Sequence, residues 1–413
     1  MPVDYKDLAT IYHMDPSTAR ESNIQKALQE RRLSPSSFDL GFSLPTGDLF
    51  LAVPRELSML TQNVLRRERS VSSLMRSLPG IAGSEVLRSL VIDEVVTSND
   101  IENIRSTRTQ IDHALRTGNH NSKTHKRFRE FARLYLDLSY STIPRPETPE
   151  DIRVIYDQVM SGEELDCPPD GKLFRKNAVF VHDGMREVHR GVAPESAIID
   201  GLQDMLALVN SSEVPELYSA LTSHYIFEYI HPFYDGNGRT GRYLLSMFLE
   251  APLSKPTALS LSRVIAENKH LYYQAFQNVQ NPLNHGEATF FVITMHELIL
   301  RAQDELIERL TKNVETFTAL SAEANKLAQM GAYSQKEADL LFGLAQQRSF
   351  GISPDATLDT LAEYAGIGTQ QTRKYLAALE KQGAVVKTRG RNPLLFALTD
   401  EFAQKHFPSG AAV

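Results

Sequence analysis

Residues 231–242 read HPFYDGNGRTGR and place a histidine, an aspartate, an asparagine, two arginines and three glycines within twelve positions. The stretch before them, LYSALTSHYIFEYI, repeats Leu217, Leu221 and Tyr225 every four residues, which predicts a helix. The stretch RTGRYLLSMFLEA, from Arg239 onward, predicts a second helix. The segment is therefore expected to be a glycine-rich loop that leads into a helix N-terminus.

The three glycines of this loop also spell GxGxxG, the pattern of dinucleotide-binding folds. That fold needs a strand before the glycines and an acidic residue on a second strand about 20 positions later. A helix leads in here, so the dinucleotide-binding fold is excluded. A P-loop is excluded as well, because the sequence has no GxxxxGK[ST]. The remaining alternatives are a site for phosphates and a simple turn between two helices.

The loop has the features of an anion site. Gly236, Asn237 and Gly238 can turn sharply and direct backbone N–H groups into one concavity. The positive end of the following helix favours a negative charge at the same place. Arg239 and Arg242 lie three positions apart, so we expect both to project from the first turn toward further phosphates.

Two other residues of the loop suit chemistry on a bound polyphosphate. Asp235 would repel phosphate unless a divalent cation lay between them, and Mg²⁺ commonly binds one carboxylate together with phosphate oxygens. His231, four positions earlier, has an ordinary pKa near 6.5 and can accept a proton at neutral pH. The joint pattern predicts a catalytic site, with His231 as the base.

Outside the loop the chain is expected to be mainly α-helical. One exception is NAVFVHDGMREVHRG, whose alternating apolar residues predict a β-hairpin turning near Asp183 and Gly184. The first 50 residues, including SPSSFDLGFSLPTGD, are expected to form an irregular arm. Ser84 is expected to cap a helix at its N-terminus. The predicted helices after that are 105–117, 124–140, 149–161, 194–210, 214–230, 239–250, 267–280 and 287–330.

The pattern changes after about residue 333. The order helix, turn with Gly366 and Gly368, helix and two strands around TRGRNP predicts a winged helix-turn-helix domain. Its basic residues fit DNA binding, and docking to another protomer or to the rest of the chain is the alternative. They are Arg373, Lys374, Lys381, Lys387, Arg389 and Arg391.

Composition restricts the class of protein. The 413 residues are 42% hydrophobic and 23% charged, and no apolar run is long enough for a membrane span. A cytoplasmic location without membrane association is therefore expected. The formal net charge of −7 argues against a protein that mainly coats nucleic acid. A single cysteine, Cys167, excludes an internal disulfide.

The loop resembles the signature HPFx[D/E]GNGRxxR of the Fic family, whose members usually transfer AMP from ATP to a hydroxyl of a target protein. The resemblance extends over about residues 50–330. It implies that His231 deprotonates a Tyr, Thr or Ser hydroxyl and that Asp235 holds Mg²⁺ across the phosphates. The nucleotide-binding residues that it implies in the motif are Gly236, Asn237, Gly238, Arg239, Thr240, Gly241 and Arg242.

Two further regions are similar to parts of Fic proteins. Val179, Phe180, Val181 and His182 fall where the family has a hairpin flap that aligns the backbone of the target. The run LYYQAFQNVQ resembles the helix around adenine and ribose, which implies that Tyr272, Tyr273 and Gln280 bind nucleotide. The family commonly has Asn where this chain has Gln280.

A second signature precedes the loop. SNDIEN, from Ser98 to Asn103, is similar to the inhibitory motif [S/T]xxxE[G/N] of the family. By that resemblance Glu102 pairs with Arg242 and removes the charge that orients the γ-phosphate of ATP, so that the nucleotide binds unproductively. In some relatives the same glutamate supports removal of AMP.

These features predict an autoinhibited protein adenylyltransferase with a helical Fic core, a β-hairpin flap and a C-terminal winged helix. The predicted domains are 1–105 with the inhibitory helix, 106–330 as the catalytic domain and 331–413 as the winged helix. ATP, a target protein, the chain itself as a target, a second copy in a homodimer and DNA are the partners considered. The alternatives are transfer of another nucleotide or a phosphate, removal of AMP, and a DNA-binding regulator with a vestigial Fic domain.

Overall fold

Helices make up most of the chain in the computed structural model, which describes residues 5–116, 123–183, 186–391 and 393–407. The mainly helical fold expected from the sequence is thus confirmed. Backbone contacts divide the chain into two compact units that interleave in sequence. One comprises residues 1–69 and 91–304, and the other residues 70–90 and 305–413. Each predicted domain is one continuous stretch of sequence, whereas each unit combines two separate stretches. The three predicted domains therefore stay a prediction.

The first unit contains the helices around residues 231–242. In chain order the elements up to residue 209 are α1 (Leu8–Met14), α2 (Arg20–Arg32), β1 (Ser37–Leu44), β2 (Gly47–Ala52), α3 (Arg55–Arg76), α4 (Gly80–Ile101), α5 (Arg108–Arg116), α6 (Lys123–Tyr140), α7 (Pro149–Val159), β3 (Phe180–Asp183), β4 (Arg186–Arg190) and α8 (Glu195–Val209). They continue with α9 (Glu216–Ile230), α10 (Asn237–Leu249), α11 (Lys255–Ala258), α12 (Leu261–Glu267), α13 (Lys269–Gln280) and α14 (Thr289–Gln329). Helices α3, α4 and α14 each contribute residues to both units.

Helix α9 forms the centre of the first unit. Its residues from Leu217 to Phe227 are all buried, including polar ones such as Ser219 and Thr222. A helix that is buried on every side must have neighbours all round, and α9 packs against α8 and α10. The loop at residues 231–236 therefore starts from a rigid support.

The predicted irregular arm at residues 1–50 is wrong. It contains α1, α2 and the antiparallel pair β1–β2, which buries Leu40, Phe42 and Leu44 on one face. Gly41 has a positive φ of 66° and lies where the strand register shifts, so this glycine permits a bulge and does not end the strand. The alternation of apolar residues in β1 indicates a strand, but the neighbouring prolines and glycines obscured this pattern.

The predicted N-cap at Ser84 is also wrong, since α4 begins four residues earlier, at Gly80. The side-chain oxygen Oε1 of Gln346 accepts a hydrogen bond from the backbone N–H of Ala82, at 3.0 Å. A partner more than 260 residues away thus replaces the local cap that the sequence suggested.

The hairpin predicted around residue 183 is present. Strands β3 and β4 pair antiparallel, and the N–H of Gly191 extends the pairing to the carbonyl of Val179 at 3.0 Å. The exposed ring of Phe180 lies under the guanidinium of Arg190. The predicted turn residue Gly184 lies outside the described residues.

The second unit has its own hydrophobic core. After α14 come α15 (Gln335–Phe350), β5 (Ala356–Thr357), α16 (Leu358–Ala365), α17 (Thr369–Lys381), β6 (Val385–Arg389), β7 (Leu395–Leu398) and α18 (Asp400–His406). The strands form a sheet in the order β5-β7-β6, and residues such as Leu344, Leu361 and Leu376 fill the core. The helix, turn, helix and two strands follow the order expected from the sequence, with β5 as an additional strand.

Candidate active site

His231 stands at the end of α9 in an unusual backbone conformation. Its N–H still donates to the carbonyl of Phe227 at 2.9 Å, while its φ of 53° and ψ of 61° are left-handed. Pro232 follows and cannot continue the helix. A left-handed conformation costs a non-glycine residue about 1 kcal/mol or more, so the surrounding contacts must hold His231 in place.

Arg175 supplies those contacts. Its guanidinium is fully buried and donates from Nε to the carbonyl of His231 at 2.8 Å and from Nη2 to that of Ile230 at 3.1 Å. A third bond runs from Nη1 to the carbonyl of Asn177 at 2.6 Å. A side chain at Gly191 would bring its Cβ to 2.5 Å from Arg175 Nη2, so a glycine is required there. The arginine fixes the end of α9.

Burial lowers the pKa of His231 to about 4, and the nearby His189 and Arg175 contribute to the decrease. An interaction with the backbone carbonyl of Glu228 and the charge of Glu102 raise the pKa but do not outweigh these effects. The imidazole is therefore neutral at pH 7. A neutral ring can accept a proton without first losing one.

The loop after His231 is anchored by an aromatic stack and an amide side chain. The fully buried ring of Phe233 stacks on Tyr156, with ring centroids 3.6 Å apart and planes 10° from parallel. Asn237 accepts from the N–H of Phe233 at 2.9 Å and donates to its carbonyl at 2.8 Å. Phe233 thus anchors the loop in the core.

Helix α10 begins at Asn237, two residues before the predicted start, with Gly236 as its N-cap. Gly236 has a φ of 79°, and its carbonyl accepts from the hydroxyl of Thr240 at 2.9 Å. The first N–H groups of a helix have no partner within the helix, and no side chain caps them here. The loop therefore presents donors and the positive helix end at one place.

A carboxylate lies at that place. A Cβ added to Gly238 would lie 2.1 Å from Oε1 of Glu102, so the glutamate occupies the space above this glycine. Oε1 also accepts from Nη2 of Arg242 at 2.8 Å. The contact between Glu102 and Arg242 that the sequence motif suggested is thus present.

Arg242 is almost completely buried and is held by α4. Its Nε donates to the hydroxyl of Ser98 at 3.0 Å, and its Nη2 donates to the Ser98 carbonyl at 2.9 Å as well as to Glu102. Burial disfavours the charged guanidinium, but the charges of Glu102 and Glu228 and the Tyr272 hydroxyl raise the pKa of Arg242 above its ordinary value. Arg242 is therefore cationic.

Arg239 is engaged by a different element. Its Nη1 donates to Glu163 at 2.5 Å, and its Nη2 lies 3.1 Å from the sulfur of Met160. Both residues follow α7. The two arginines of the motif are thus buried, and each faces a carboxylate.

Glu102 follows the last turn of α4. Asn103 has a φ of 60°, and the N–H of Ile104 donates back to the carbonyl of Asn99 at 2.9 Å, which closes the helix end. Partial burial would raise the pKa of Glu102, but Arg242, Arg239 and His231 outweigh it and lower the pKa below its usual value. The carboxylate is therefore ionised at neutral pH.

The comparison with known families agrees with this geometry, because residues 146–249 match the Fic/DOC family. This segment is a Fic/DOC domain. Two similar curated proteins carry the name protein adenylyltransferase Fic. The one from Nematostella vectensis is 30% identical over 147 residues, 35% of this chain and 30% of the relative. The one from Drosophila willistoni is 27% identical over 164 residues, 39% of this chain and 31% of the relative. The chain thus spans about a third of the length of these relatives.

Solved structures of Fic proteins are similar to the chain at low identity. A Fic family protein from Desulfovibrio desulfuricans G20 aligns over 82% of this chain and 96% of its own, with a TM-score of 0.47 and 19% identity. Fic-1 from C. elegans, residues 134–508, aligns over 63% and 74%, with a TM-score of 0.44 and 18% identity.

The residues predicted to bind adenine and ribose lie on α13 of the same unit, with different exposure. Tyr272 is buried and its hydroxyl lies 2.7 Å from Nε2 of His224, whereas the side chain of Tyr273 is exposed. Gln280 is half-buried and hydrogen-bonds His189. Their nucleotide-binding role, like that of the flap residues Val179 to His182, stays a prediction.

Asp235 is exposed, and its Oδ1 accepts from the N–H of Gly236 at 2.7 Å. Among the residues that the structure describes, no group of three or more His, Cys, Asp and Glu side chains could hold a metal by itself. One accessible carboxylate next to a helix N-terminus fits a Mg²⁺ ion that would take its other ligands from the phosphates of a bound nucleotide and from water.

Sequence reasoning missed several residues near this site. Besides Arg175, the buried Glu94 and the partly buried Glu228 lie near Arg242. Burial raises the pKa of Glu228 to about 8, and its Oε1 has no hydrogen-bond partner in the described part of the chain. Burial raises the pKa of Glu94 to about 7, although two hydrogen bonds from Ser262 oppose the shift. In the sequence, the only sign of these two residues is an acidic side chain at a position where the helical pattern is otherwise apolar.

No helix within the described ranges combines the length and the apolar character needed to cross a bilayer.

Proposed function

We propose that this protein transfers AMP from ATP to a Tyr, Thr or Ser hydroxyl of a target protein and releases pyrophosphate. The observation that carries the proposal is the position of His231 beside the N-terminus of α10. The imidazole of His231 is neutral and its backbone is held by Arg175. The N-terminus of α10 and its two arginines face carboxylates. The Fic/DOC match and the names of the Nematostella and Drosophila relatives support the same reaction.

The chemistry is one in-line displacement. The hydroxyl oxygen of the target attacks the α-phosphorus of ATP, and a bond forms between them. The bond from the α-phosphorus to the oxygen bridging to the β-phosphate breaks, and pyrophosphate leaves with the electron pair. The proton of the attacking hydroxyl passes to the unprotonated ring nitrogen of His231.

The residues that orient His231 are already in position. Arg175 holds the carbonyls of Ile230 and His231, and the Phe233–Tyr156 stack holds the loop that follows. Rigid placement of a base lowers the entropy cost of reaching the transition state. Arg175 thus acts as a positioning residue.

The phosphates would bind at the N-terminus of α10. The N–H groups of Gly236 to Gly238 and the helix dipole would face them, and Arg239 and Arg242 would approach their outer oxygens. Asp235 would hold Mg²⁺ at the edge of the loop, and the bound ion would neutralise charge on the phosphates.

Glu102 would inhibit the reaction in this arrangement. Its carboxylate pairs with Arg242 and fills the space above Gly238, so both an arginine and an anion position are occupied. ATP could then bind only with its terminal phosphate displaced from Arg242. A misplaced terminal phosphate moves the α-phosphorus out of line with the target hydroxyl, which slows transfer.

The flap would present the target. Strand β3 pairs with β4, and its second edge can accept an extended segment of another chain by strand addition. Main-chain pairing aligns a hydroxyl-bearing residue without demanding a particular sequence. The same geometry allows a segment of this chain to be modified.

The test is a comparison of nucleotides in the Glu102→Gly background. ATP, UTP, GTP and CTP are offered with cell lysate, and the mass gain of modified proteins is measured. AMP addition that requires His231 is expected, with none after His231→Ala. Addition of UMP, GMP or phosphate, or loss of AMP from a pre-modified protein without transfer, would contradict the proposal.

A further inference from the structure

Helix α17 of the second unit buries one face in the core of that unit and exposes the opposite face. Thr372, Leu376 and Leu379 are buried in the core of the unit. The opposite side of a helix with 3.6 residues per turn carries positions 370, 374, 377 and 381. These are Gln370, Lys374, Ala377 and Lys381, all exposed. Arg373 flanks this stripe and is also exposed.

The connection to the preceding helix is short. Helix α16 ends at Ala365, Gly366 adopts a left-handed φ of 62°, and α17 begins at Thr369. Two helices joined by a three-residue turn that contains glycine form a helix-turn-helix, in which the second helix enters the major groove of DNA.

Strand β6 continues the basic surface. Val385 is buried, and the following residues of the strand are exposed. Lys387 and Arg389 are both exposed, and the strand register shifts between them. Arg391, just beyond, is exposed too.

The charge of this surface contrasts with that of the chain. Residues 369–391 contain six Lys and Arg and one acidic residue, Glu380, whereas the whole chain has a formal net charge of −7. In the part of the chain that the structure describes, none of the six basic side chains forms an ion pair. Uncompensated cations in an acidic protein indicate an anionic partner.

The chemistry of the α17 stripe favours duplex DNA over other macromolecules. A protein-docking helix face is usually rich in aromatic or large apolar residues, and this stripe has only Ala377. Single-stranded nucleic acid needs exposed aromatic rings for stacking, and Tyr375 on this helix is packed against the core. Gln370 and Lys374 can instead reach base edges in a major groove.

We propose that α17 binds in the major groove of double-stranded DNA and that β6 contacts the adjacent phosphates. Lys374 and Gln370 face the bases, and Lys381, Lys387 and Arg389 neutralise the backbone. This binding is separate from AMP transfer, since its residues belong to the other unit.

The test is fluorescence anisotropy of the full chain with a labelled 30-base-pair duplex of mixed sequence. We expect binding at 50 mM salt. Affinity should fall roughly fortyfold by 200 mM if Lys381, Lys387 and Arg389 each contact one phosphate. Lys374→Glu should weaken binding at least tenfold, and Lys387→Ala should lower the salt slope by about 1. The matched control Lys26→Glu changes the net charge equally at an exposed position on α2 and should bind like wild type.

The His231→Ala variant, which is expected to lose AMP transfer, should bind the DNA duplex like wild type. This variant therefore separates DNA binding from AMP transfer. The proposal is overturned if no duplex binds at 50 mM salt, if Lys374→Glu and Lys26→Glu weaken binding equally, or if a single strand of the same length binds as tightly. Circular dichroism of each variant shows that these exposed substitutions leave the fold intact.

Discussion

Oε1 of Glu102 lies 2.8 Å from Nη2 of Arg242, and the same guanidinium also donates to the hydroxyl and the carbonyl of Ser98. Arg242, in the first turns of α10, is thus held by two residues that stand one helical turn apart, at the end of α4. The pair joins segments 140 positions apart in the sequence.

Replacement of Glu102 by glycine is expected to raise AMP incorporation at least tenfold, because Arg242 and the space above Gly238 become available to ATP. Incorporation of label from α-labelled ATP measures this. Glu213→Gly is the matched control, since it makes the same substitution at an exposed position outside α4. Equal activity of Glu102→Gly and wild type would contradict inhibition by this residue.

The pH dependence of transfer should report the depressed pKa of His231. The base must be neutral, so kcat/KM of Glu102→Gly should stay level between pH 8 and 6 and fall only as the pH approaches about 4. The charge of Glu102 raises the pKa of His231, so its removal lowers that pKa further. The Glu102→Gly substitution therefore does not shift the acid limb of the pH profile to higher pH. An acid limb centred near 6.5 would show that the surroundings of His231 do not lower its pKa.

Arg175→Lys should lower kcat at least tenfold and leave KM for ATP within about threefold. A lysine cannot reproduce the three-pronged contact with the carbonyls of Ile230, His231 and Asn177, so the base loses its orientation while the nucleotide loop remains. Steady-state kinetics separates the two parameters. The exposed neighbour Lys176→Ala is the control, and an equal effect on both parameters would exclude a positioning role.

Asn237→Ala should destabilise the protein by about 1–3 kcal/mol and weaken ATP binding. The substitution leaves the buried N–H and carbonyl of Phe233 without their partners and frees the loop to change shape. Chemical unfolding and calorimetric titration measure the two effects. Asn23→Ala, at an exposed position on α2, should change neither.

Glu228→Gln should stabilise the protein increasingly as pH rises from 5 to 8. The pKa of Glu228 is raised to about 8 in the folded protein, so the wild type loses stability as the pH rises through this interval, whereas glutamine does not titrate. Unfolding at pH 5.5 and 7.5 tests this against the exposed Glu213→Gln. A difference that is independent of pH would contradict it.

The features that could be predicted from sequence have local signals. Four-residue periodicity marks α9, alternation marks the β3–β4 hairpin, and the density of glycine and charge marks residues 231–242. The contact of Glu102 with Arg242 could be predicted because a short motif around Glu102 occurs together with the family signature, ahead of the core helices.

The features that were missed depend on distant partners. Arg175 is one basic residue among many until folding brings its guanidinium to the end of α9. Gln346 replaces the local cap of α4, and the Phe233 ring finds Tyr156 across 77 positions. Composition gives no sign of these pairings, since each is decided by packing.

Because Gly238 has no side chain, Glu102 occupies the space where we propose that a phosphate of ATP binds, and only one of the two can be there at a time. In the proposed function the glutamate would act as a tethered competitor of that phosphate, present at a fixed effective concentration however dilute the protein is. Productive ATP binding would be reduced by the fraction of time that Glu102 occupies this position. Any event that loosens the last turn of α4 would therefore be felt as a rise in nucleotide affinity, without a change in a single residue that touches ATP.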